Sequence, residues 1–566
     1  MNLVLYDGNE KLLSLIANFL KEQIIKKNGF INNIELSELE KSNFDNIYLH
    51  PNTAFWCVMS EDKIVGTLAL RTYEETVAEL KRFYVVENSR GNGIGLNLLY
   101  LAISFAQKNM YSKLRAAISE SALACQHLLE KEGFVKTKKY RESQAQLFYE
   151  KDLKNIKDNC YKVGSIIRNS LMQQEVHFND SLILNPVENI PFDDTLYPAT
   201  SFLHGLYNTD TFRTSSQKYN TKIQFSGRDT INKDVNMIYD AWALLLKAKG
   251  VTMRLLSGLH AHIILFMSIA KIGDRVLLLP EEAGGHYSTL KILERLGLEV
   301  KCLPIDIPNR RINKITSLKL IEEFKPKFIF IDRSEGLIFE DFSWIKENTD
   351  DIYKIFDASQ YLTNIIAGDY VNPFDMGFDL ILSTTHKNLP GPQMALIATK
   401  ETNDNWFMLK SHISTFVSNM HVFNIYTAGL MLNHYDDLIQ HSQLMLQNTF
   451  KLETALLQRN VPVVQRSMQF SEPMTHHIWI NTPSQDKSFS CFLNLEKLNI
   501  NVNYRLLPYN LGYGLRLGLS GATRMGLHND EDIVDIADII AKCYKDVPVA
   551  CDYVKHIIRR IKKNDK

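Results

Sequence analysis

A lysine at the end of an apolar segment is the first residue of this chain whose chemistry asks for an explanation. The segment "ILSTTHKNLPGP" (381–392) passes from hydrophobic residues through threonines to His386 and Lys387. Burying a charged ammonium is costly, so a purely structural lysine would lie on the surface. A lysine amine that has condensed with a carbonyl compound carries no such charge. The position therefore predicts covalent catalysis through Lys387.

Further residues with complementary chemistry are spread along the chain around this lysine. They are Ser257 and Gly258 in "RLLSGLHAH", His286 in "LPEEAGGHYST", Asp357 at the end of "YKIFD", and Arg516 in "YGLRLGLSGATR". Each of them has an ordinary structural interpretation by itself, such as a strand-end cap, a loop histidine or a surface ion pair. Their order and their joint presence favour a common site.

The common site that these residue types predict is one for pyridoxal 5'-phosphate. This cofactor needs a lysine, a carboxylate that keeps the pyridine nitrogen protonated, and a ring stacked on its face. Asp357 and His286 would supply the last two. A helix start at Ser257 and Gly258 suits the phosphate, and Arg516 can hold a substrate carboxylate in a two-pronged pair.

A second candidate site is a glycine-rich turn near the amino terminus. In "ELKRFYVVENSRGNGIGLNLLYLAISFAQ" a predicted strand leads through Arg90, Gly91, Gly93 and Gly95 into a predicted helix. Glycines let the backbone approach a ligand, and the N–H groups at a helix start favour a pyrophosphate. The alternative is a tight turn without a ligand.

The elements that must position these residues change character along the chain. Residues 1–150 mix helical periods with short alternating strands such as "AFWCVMS". Beyond about residue 165, continuous apolar strands such as "RVLLLP" and "KFIFID" alternate with helices, which indicates a parallel sheet covered on both faces. The part after residue 440 reads as a smaller α+β domain. We therefore predict an α/β protein with domains at 1–152 and 166–440, a linker at 153–165, and a small domain at 441–566.

Composition excludes several classes of function. The 566 residues contain 64 basic and 64 acidic side chains, so nothing favours nucleic acid or an anionic membrane as a partner. Seven scattered cysteines without a CxxC pair predict reduced thiols in the cytoplasm, and neither a metal site nor a disulfide framework. No apolar run reaches the length of a membrane span, and the first residues do not resemble a signal peptide.

Residues 1 to about 152 resemble the GNAT acetyltransferases, on the strand "ELKRFYV", the turn R-G-x-G-I-G and "LLEKEGF" (128–134). The resemblance implies acetyl-CoA, with its pyrophosphate held between Arg90 and Gly95. It also implies that Glu79 accepts a proton from the amine that is acetylated; a surface carboxylate is the alternative. Leu129 occupies a position where the family often has an acidic tyrosine, which puts proton donation to the thiolate in doubt.

Residues of about 165 to 566 resemble the serine hydroxymethyltransferase family of fold type I pyridoxal-phosphate enzymes, whose fold is like that of aspartate aminotransferase. The matching segments are "NPVENI", "SGLHAH", "GDRVLLLPEEAGGH", "DAS", "STTHKNLPGP" and "GLRLGLSGATR". The resemblance implies the roles given above for Lys387, Asp357, His286 and Arg516. It adds cofactor contacts from Ser334, Gln360 and His386. It further implies a homodimer in which Tyr219 reaches a neighbouring subunit's site.

Departures from that family bear on the reaction. The segment that normally carries an acid/base glutamate and paired tyrosines reads "KYNTKIQFSGRDT", with Thr221 at the glutamate position and Asp229 and Thr230 at the tyrosines. Gln360 replaces a histidine. These changes argue against an ordinary folate-dependent hydroxymethyltransferase.

The sequence therefore predicts a bifunctional enzyme that acts on small molecules. The C-terminal part would carry out aldol or transaldol chemistry on a small amino acid, and the N-terminal part would acetylate an amine. Two alternatives stay open: transamination, racemisation or decarboxylation with the same cofactor, or a GNAT domain that acts as an acetyl-CoA sensor.

Overall fold

The chain divides into two compact units, seen in a computed structural model that describes residues 2–28, 30–60, 63–153, 156–209, 214–220, 223–347, 349–466 and 474–563. The N-terminal unit is Met1–Met172 and the C-terminal unit is Gln173–Lys566. No helix within the described ranges is long and apolar enough to cross a membrane. The finer domain limits predicted at 152, 165 and 440 stay predictions.

The N-terminal unit is built around one seven-stranded sheet. Its strands are β1 (Asn2–Leu5), β2 (Ala54–Ser60), β3 (Lys63–Glu74), β4 (Val77–Val85), β5 (Lys113–Ile118), β6 (Val135–Lys136) and β7 (Leu147–Asp152), in the order β1-β2-β3-β4-β5-β7-β6. Its helices are α1 (Glu10–Asn28), α2 (Asn33–Ser37), α3 (Lys41–Tyr48), α4 (Ile94–Lys108) and α5 (Leu123–Lys131). A further helix, α6 (Ile156–Asn179), contains the division between the units and most of the predicted linker.

A β-bulge in β4 changes which side chains share a face of this sheet. Arg82 has a positive φ of 52°, and the register between β3 and β4 shifts at this point. Before the bulge Leu80 packs into the core with α4, while Glu79 and Lys81 point to the other face. Beyond the bulge Phe83 takes the core side. One extra residue in a strand has this effect, and bulges are frequent beside functional sites.

The C-terminal unit contains many more elements. Its strands are β8 (Leu182–Ile183), β9 (Gly250–Leu255), β10 (Arg275–Leu278), β11 (Glu299–Cys302), β12 (Ile305–Asp306), β13 (Arg311–Ile312), β14 (Phe328–Ile331), β15 (Tyr353–Asp357), β16 (Leu380–Thr384), β17 (Ala395–Thr399), β18 (His477–Asn481), β19 (Ile500–Asn501), β20 (Asn503–Leu507) and β21 (Gly512–Gly518). Its helices are α7 (Tyr197–Thr200), α8 (Ser215–Tyr219), α9 (Asp229–Leu246), α10 (Gly258–Ile269), α11 (Thr289–Arg295), α12 (Lys314–Phe324), α13 (Leu362–Ala367), α14 (Asp404–Phe416), α15 (Val422–Leu430), α16 (Tyr435–Gln458), α17 (Gln485–Lys497), α18 (Ser520–Arg524), α19 (Asp530–Tyr544) and α20 (Cys551–Lys563).

The large sheet of this unit has the order β11-β10-β14-β15-β16-β17-β9. The first five strands in this order, β11, β10, β14, β15 and β16, run parallel to one another, and β17 is antiparallel to its neighbours β16 and β9. Every residue of β14, β15 and β16 is buried, as continuous apolar strands require when helices cover both faces. Hydrophobic cores lie on each side of the sheet. Because parallel strands end at one edge, residues that follow β14, β15 and β16 are brought together there.

A smaller sheet with the order β18-β21-β20 carries Arg516 in its central strand. The apolar segments "HHIWINTP" and "GLRLGLSG" contain two of these strands, β18 and β21. Helices α16, α17, α19 and α20 contribute buried side chains to the core around this sheet. The central strand position fixes the backbone of Arg516 between Trp479 and Asn503.

Candidate active sites

A cavity of about 170 Å³ lies at the edge where the parallel strands of the C-terminal unit end. It is lined by Ser257, Gly258, Leu259, His262, His286, Arg333, Ser334, Asp357, Ser359, Thr384, His386, Lys387 and Gln393. Residues predicted from distant parts of the sequence thus line one cavity. Gln360, Arg516 and Tyr219, also predicted site residues, are not part of this lining.

Lys387 follows the end of β16 and enters the cavity from a short loop. The side-chain amide of Asn189 donates to the Lys387 carbonyl over 2.8 Å, which holds the loop backbone. Burial lowers the pKa of the Lys387 amine, and Arg516 lowers it further, while Asp357 opposes the shift. A lowered pKa keeps more of the amine unprotonated, which is the nucleophilic form.

Asp357 ends β15 and faces the cavity as a carboxylate. Its Oδ2 lies 2.8 Å from His262 Nε2, and its Oδ1 accepts a 2.8 Å hydrogen bond from the backbone N–H of Ser359. Burial alone would raise the pKa of Asp357. The bonds from His262 and Ser359 and the charge of Lys387 outweigh burial and hold this pKa below its usual value. The carboxylate is therefore ionised and fixed in place.

His262 is a site residue that the sequence did not single out, although it lies in the quoted segment "SGLHAH". Its Nδ1 lies 3.3 Å from the hydroxyl of Thr289. Asp332, at the end of β14, accepts from the backbone N–H of His286 over 3.4 Å. Burial raises the pKa of Asp332 well above its usual value, and Asp357 adds to the shift, while Thr289 opposes it. The pKa values of the Asp357 and Asp332 carboxyl groups are therefore shifted in opposite directions.

His286 is presented to the cavity by two glycines that leave no room for a side chain. A Cβ on Gly284 would lie 2.1 Å from the carbonyl oxygen of Glu335, and one on Gly285 would lie 2.4 Å from that of Leu279. Burial lowers the pKa of His286 to about 4, with help from the charges of His262 and Lys387. The ring is thus neutral near pH 7, as suits a group that stacks on an aromatic ligand.

The start of α10 forms another wall of the cavity. Ser257 is its N-cap, and its hydroxyl accepts from the backbone N–H of His260 over 3.2 Å. A Cβ on Gly258 would lie 2.8 Å from Thr384 Cγ2, so only glycine lets the helix begin this close to β16. A helix N-terminus with free N–H groups favours an anion such as a phosphate.

Several buried polar atoms at this site have no hydrogen-bond partner among the described residues. They are Gln360 Nε2, Thr384 Oγ1 and His386 Nδ1. The Gln360 Oε1 lies 3.2 Å from His477 Nε2, which fixes the amide and leaves its NH₂ group available. Buried polar atoms are normally paired, so unpaired ones around a cavity indicate a polar ligand. Together with Lys387 and Asp357 they fit pyridoxal phosphate.

Arg516 is buried, with a buried acid beside it that the sequence did not reveal. Its Nη1 lies 3.7 Å from Glu335 Oε2 and donates to the Ser334 carbonyl over 3.3 Å. Glu335 is fully buried and also pairs with Arg505, over 2.6 Å. Burial lowers the pKa of Arg516 to about 10, while Glu335 opposes the shift. One carboxylate therefore holds two guanidinium groups.

Tyr219 lies apart from the cavity in this single chain. It ends α8 and is 88% exposed. Asp229 is the first residue of α9 and pairs with Lys218. Thr221, the residue at the position of the missing glutamate, lies outside the described residues. The role of Tyr219 in a neighbouring subunit's site stays a prediction.

The glycine turn of the N-terminal unit has the geometry that a ligand loop requires. Gly91 and Gly93 have φ angles of 84° and 75°, a region that favours glycine, and Gly93 is the N-cap of α4. Arg90 donates from Nε to the Val85 carbonyl over 3.2 Å, which ties the turn to the end of β4. Gly95 packs near Phe83 in the first turn of the helix. The loop itself is exposed.

Glu79 is fully buried in β4, so the alternative of a surface carboxylate is wrong. Its carboxylate lies 2.7 Å from Arg141 Nε, 3.2 Å from Lys81 Nζ and 3.7 Å from Arg71 Nη2, and accepts from the Tyr140 hydroxyl over 2.9 Å. Burial opposes ionisation, but these neighbours outweigh it and lower the pKa of Glu79. A carboxylate stabilised in this way is a weak proton acceptor, so the geometry favours a charge-holding role over the predicted base.

Leu129, the departure at the tyrosine position, is fully buried in the core of the N-terminal unit. It lies in α5 and belongs to the same hydrophobic core as Ala116 and Tyr149. The position thus serves packing and offers no proton.

Comparison with known proteins assigns both units. Residues 169–540 match the family model of serine hydroxymethyltransferase, and residues 23–134 match that of the acetyltransferase (GNAT) family. The chain belongs to the serine hydroxymethyltransferase family and carries an N-terminal GNAT domain. The predicted fusion and the predicted α/β fold class are confirmed, and so is the prediction that the protein is an enzyme.

Individual relatives agree with this assignment. Serine hydroxymethyltransferase of Pyrobaculum calidifontis is 30% identical over 312 residues, which cover 53% of this chain and 72% of that protein. The enzyme of Staphylothermus marinus is 28% identical over 309 residues, covering 52% and 69%. The crystal structure of L-threonine transaldolase from Pseudomonas fluorescens, in its internal aldimine state, superposes with a TM-score of 0.66. It is 20% identical and covers 72% of this chain and 93% of that one, and it shows the shared fold.

Proposed function

We propose that the C-terminal unit binds pyridoxal phosphate and performs aldol or transaldol chemistry on a small amino acid. The observation that carries this proposal is the cavity in which a half-buried lysine, an ionised aspartate and a neutral histidine meet. The L-threonine transaldolase named above shares this fold. Bound pyridoxal phosphate supplies an electron sink for a carbanion at the amino acid's Cα.

The residues of the chain would divide the work as follows. Lys387 would hold the cofactor through its amine and take or return a proton at the substrate. Asp357 would keep the proton on the ring nitrogen, with His262 fixing its orientation. The start of α10 and the unpaired atoms of Thr384 and His386 would hold the phosphate.

The substrate side of the cavity would be set by charge and by exclusion of water. Arg516 would bind the carboxylate of the amino acid, oriented by Glu335 and the Ser334 carbonyl. Gln360 would donate its free NH₂ group to the cofactor. Enclosing these groups strengthens their electrostatic interactions relative to water.

The test combines a spectrum with a product analysis. Wild-type protein should show the visible absorbance of a bound cofactor, and Lys387→Ala should lose it. Lys400→Ala, which changes a lysine at the end of β17 remote from the cavity lining, is the matched control. Incubation with threonine and a panel of aldehydes should yield new β-hydroxy amino acids, detected by mass spectrometry. A bound cofactor without any such product across the panel would contradict the aldol reaction and favour transamination, racemisation or decarboxylation, which a labelled amino acid would distinguish.

We further propose that the N-terminal unit binds acetyl-CoA at the turn from Arg90 to Gly95 and transfers the acetyl group to an amine. The positive φ angles at Gly91 and Gly93 and the helix start behind them support this. The transfer is tested by incubating the protein with acetyl-CoA and each amine of a panel, and by measuring whether the amine causes release of free CoA thiol. Acetyl-CoA binding at the turn with thiol release at background would favour the sensor alternative instead.

A cytoplasmic homodimer completes the proposal. Tyr219 is exposed on the single chain and would contact the site of a second copy. A dimer mass in sedimentation of the full chain would support this proposal. So would a Tyr219→Phe variant that keeps the dimer mass but loses the activity of the C-terminal unit. A fully active monomer would contradict it.

A further inference from the structure

The N-terminal unit gathers an excess of positive charge on one face of its sheet. Among the residues that the structure describes, four cationic side chains form ion pairs there with two carboxylates: Arg71, Lys81, Arg82 and Arg141 with Glu38 and Glu79. Arg82 and Glu38 form the closest separate pair, over 2.5 Å. The remaining cations share Glu79, so this cluster carries two more positive than negative charges.

The cations around Glu79 are neither fully exposed nor sealed off. The side chains of Arg71, Lys81 and Arg141 are 32%, 20% and 22% exposed, whereas Glu79 is 0% exposed. Burial lowers the pKa of Lys81 to about 8, and the charges of Arg71 and Arg141 lower it further, although Glu79 opposes the shift. A partly desolvated positive excess of this kind is stabilised by an anion that can reach it from solvent.

The position of the cluster in the sheet relates it to the acetyl-CoA turn. Strands β4 and β5 pair in parallel only from Val77 to Leu80, with Glu79 opposite Arg115. The bulge at Arg82 follows directly, and β4 then leads into the glycine turn. The same strand therefore carries Glu79 and Lys81 of the charged cluster and leads, beyond its end at Val85, to the predicted pyrophosphate loop.

We propose that the amine acetylated by the N-terminal unit also carries a carboxylate, and that Arg71, Lys81 and Arg141 bind this carboxylate. Each guanidinium has N–H donors left after its contact with Glu79, and Glu79 holds the three cations in place from beneath. This inference rests on the proposed acetyltransferase function. It names the acceptor class, an amino acid, which is also the chemical class that the C-terminal unit would handle.

The transfer itself is balanced without any further reactant. The amine nitrogen forms a bond to the acetyl carbon and the C–S bond of the thioester breaks. The proton lost from the amine ends on the thiol that is released. The carboxylate takes no part in these bonds, so the cluster acts through binding and orientation of the acceptor.

The first test asks whether the full-length protein acetylates amino acids in preference to amino acid amides, which lack the carboxylate. Thiol release from acetyl-CoA is measured with amino acids, each paired with its amide. We expect kcat/KM to favour the acids, and Lys81→Met and Arg141→Gln to raise KM for the acids about tenfold, the scale of one charge-assisted hydrogen bond. Both variants should lower kcat/KM by a smaller factor for the amides than for the acids. Lys139→Met, which removes a lysine paired with the exposed Glu142, is the control. Acids and amides used equally by the wild type would overturn the proposal.

Chemical labelling of Lys81 tests the anion site without any acetyl transfer. Its lowered pKa should make it react with acetic anhydride faster than Lys139 near neutral pH, as read by peptide mass spectrometry. N-acetylthreonine should slow this labelling several-fold by pairing with the ammonium, and N-acetylthreoninamide should not. Equal effects of the two probes would overturn the carboxylate site. Selective protection without thiol release from any amine would instead leave the site standing and refute the acetyltransferase function.

Discussion

The two candidate sites differ in how the chain keeps a buried carboxylate ionised. In the C-terminal unit Asp357 lies in a cavity, fixed by hydrogen bonds from His262 and Ser359 and close to His286, which burial keeps neutral near pH 7. In the N-terminal unit Glu79 is ionised because three half-buried cations surround it. In the C-terminal arrangement the Asp357 carboxylate faces the cavity, where it can contact a ligand. In the N-terminal arrangement the Glu79 carboxylate is buried against its cations, and the cations are the groups that face solvent.

This difference follows from the sheets that carry the sites. Parallel strands covered on both faces end at a common edge, so the C-terminal site is assembled deep within the unit. The N-terminal cluster lies across the face of a mostly antiparallel sheet, where neighbouring strands place side chains side by side. We infer that the C-terminal unit is organised for chemistry at a cofactor, and the N-terminal cluster for selecting a charged partner.

The largest effect is predicted for a substitution of Asp357. It should impair the reaction of the C-terminal site without affecting that of the N-terminal site. Asp357→Asn should lower the rate of Cα proton exchange in glycine by on the order of 10³-fold, because a neutral amide does not keep a ring nitrogen protonated. Exchange is followed by NMR in deuterated water. Thiol release by the N-terminal unit should not change. Asp375→Asn, at a carboxylate 61% exposed, is the control, and equal losses in both variants would contradict the assignment.

The next effect concerns the acid behind Arg516. Glu335→Gln leaves the buried Arg516 and the partly exposed Arg505 without their carboxylate, so the KM for the amino acid should rise about tenfold as Arg516 loses its orientation. Removing one partner of a buried pair should also lower the unfolding free energy by about 3 kcal/mol. Steady-state kinetics and thermal unfolding measure the two effects. An unchanged KM would show that Glu335 does not position Arg516.

A smaller effect is expected at the exposed turn of the N-terminal unit. Gly93→Ala forces a side chain into a φ of 75°, which costs about 1 kcal/mol, although no atom lies within 4 Å of the new Cβ. Acetyl-CoA binding, measured by calorimetry, should weaken about fivefold. Gly8→Ala, which makes the same kind of change at a φ of 92° outside this turn, is the control. Equal affinity in Gly93→Ala and wild type would argue against a ligand at this loop.

Buried histidines give the C-terminal unit a pH dependence of stability. Burial lowers the pKa values of His441 and His476 to about 3. The folded state keeps both rings neutral, whereas the unfolded chain binds protons below a pKa near 6.5. Stability is therefore fully present above about pH 6.5 and falls as the pH is lowered, by about 1–2 kcal/mol for each histidine between pH 7 and pH 5. Thermal unfolding at the two pH values should show a smaller shift in His476→Leu than in wild type, and an equal shift would refute the account.

The sequence was sufficient where a chemical group directly follows an apolar strand. Asp357 and Lys387 could be predicted because continuous buried strands are recognisable and their ends fall at one edge. Ser257 and Gly258 were predictable for a similar reason, as a strand-to-helix junction. These local patterns also identified the fold class.

Residues whose roles depend on distant packing could not be predicted. Glu335 follows a predicted site serine, but only the folded chain shows that it is buried against Arg505 and Arg516. Arg141 is about sixty positions from Glu79 and lies in a segment without regular periodicity. His262 had a usable signal, because it lies four residues after Gly258 and so on the same helix face.

Reduction of the purified protein with borohydride, followed by peptide mass spectrometry, tests the central claim most directly. Reduction makes the bond between a lysine and bound pyridoxal phosphate permanent. The account predicts one modified peptide, with the phosphopyridoxyl group on Lys387 and on no other lysine. A protein that binds the cofactor but carries the group elsewhere, or that carries none after loading with pyridoxal phosphate, would contradict it.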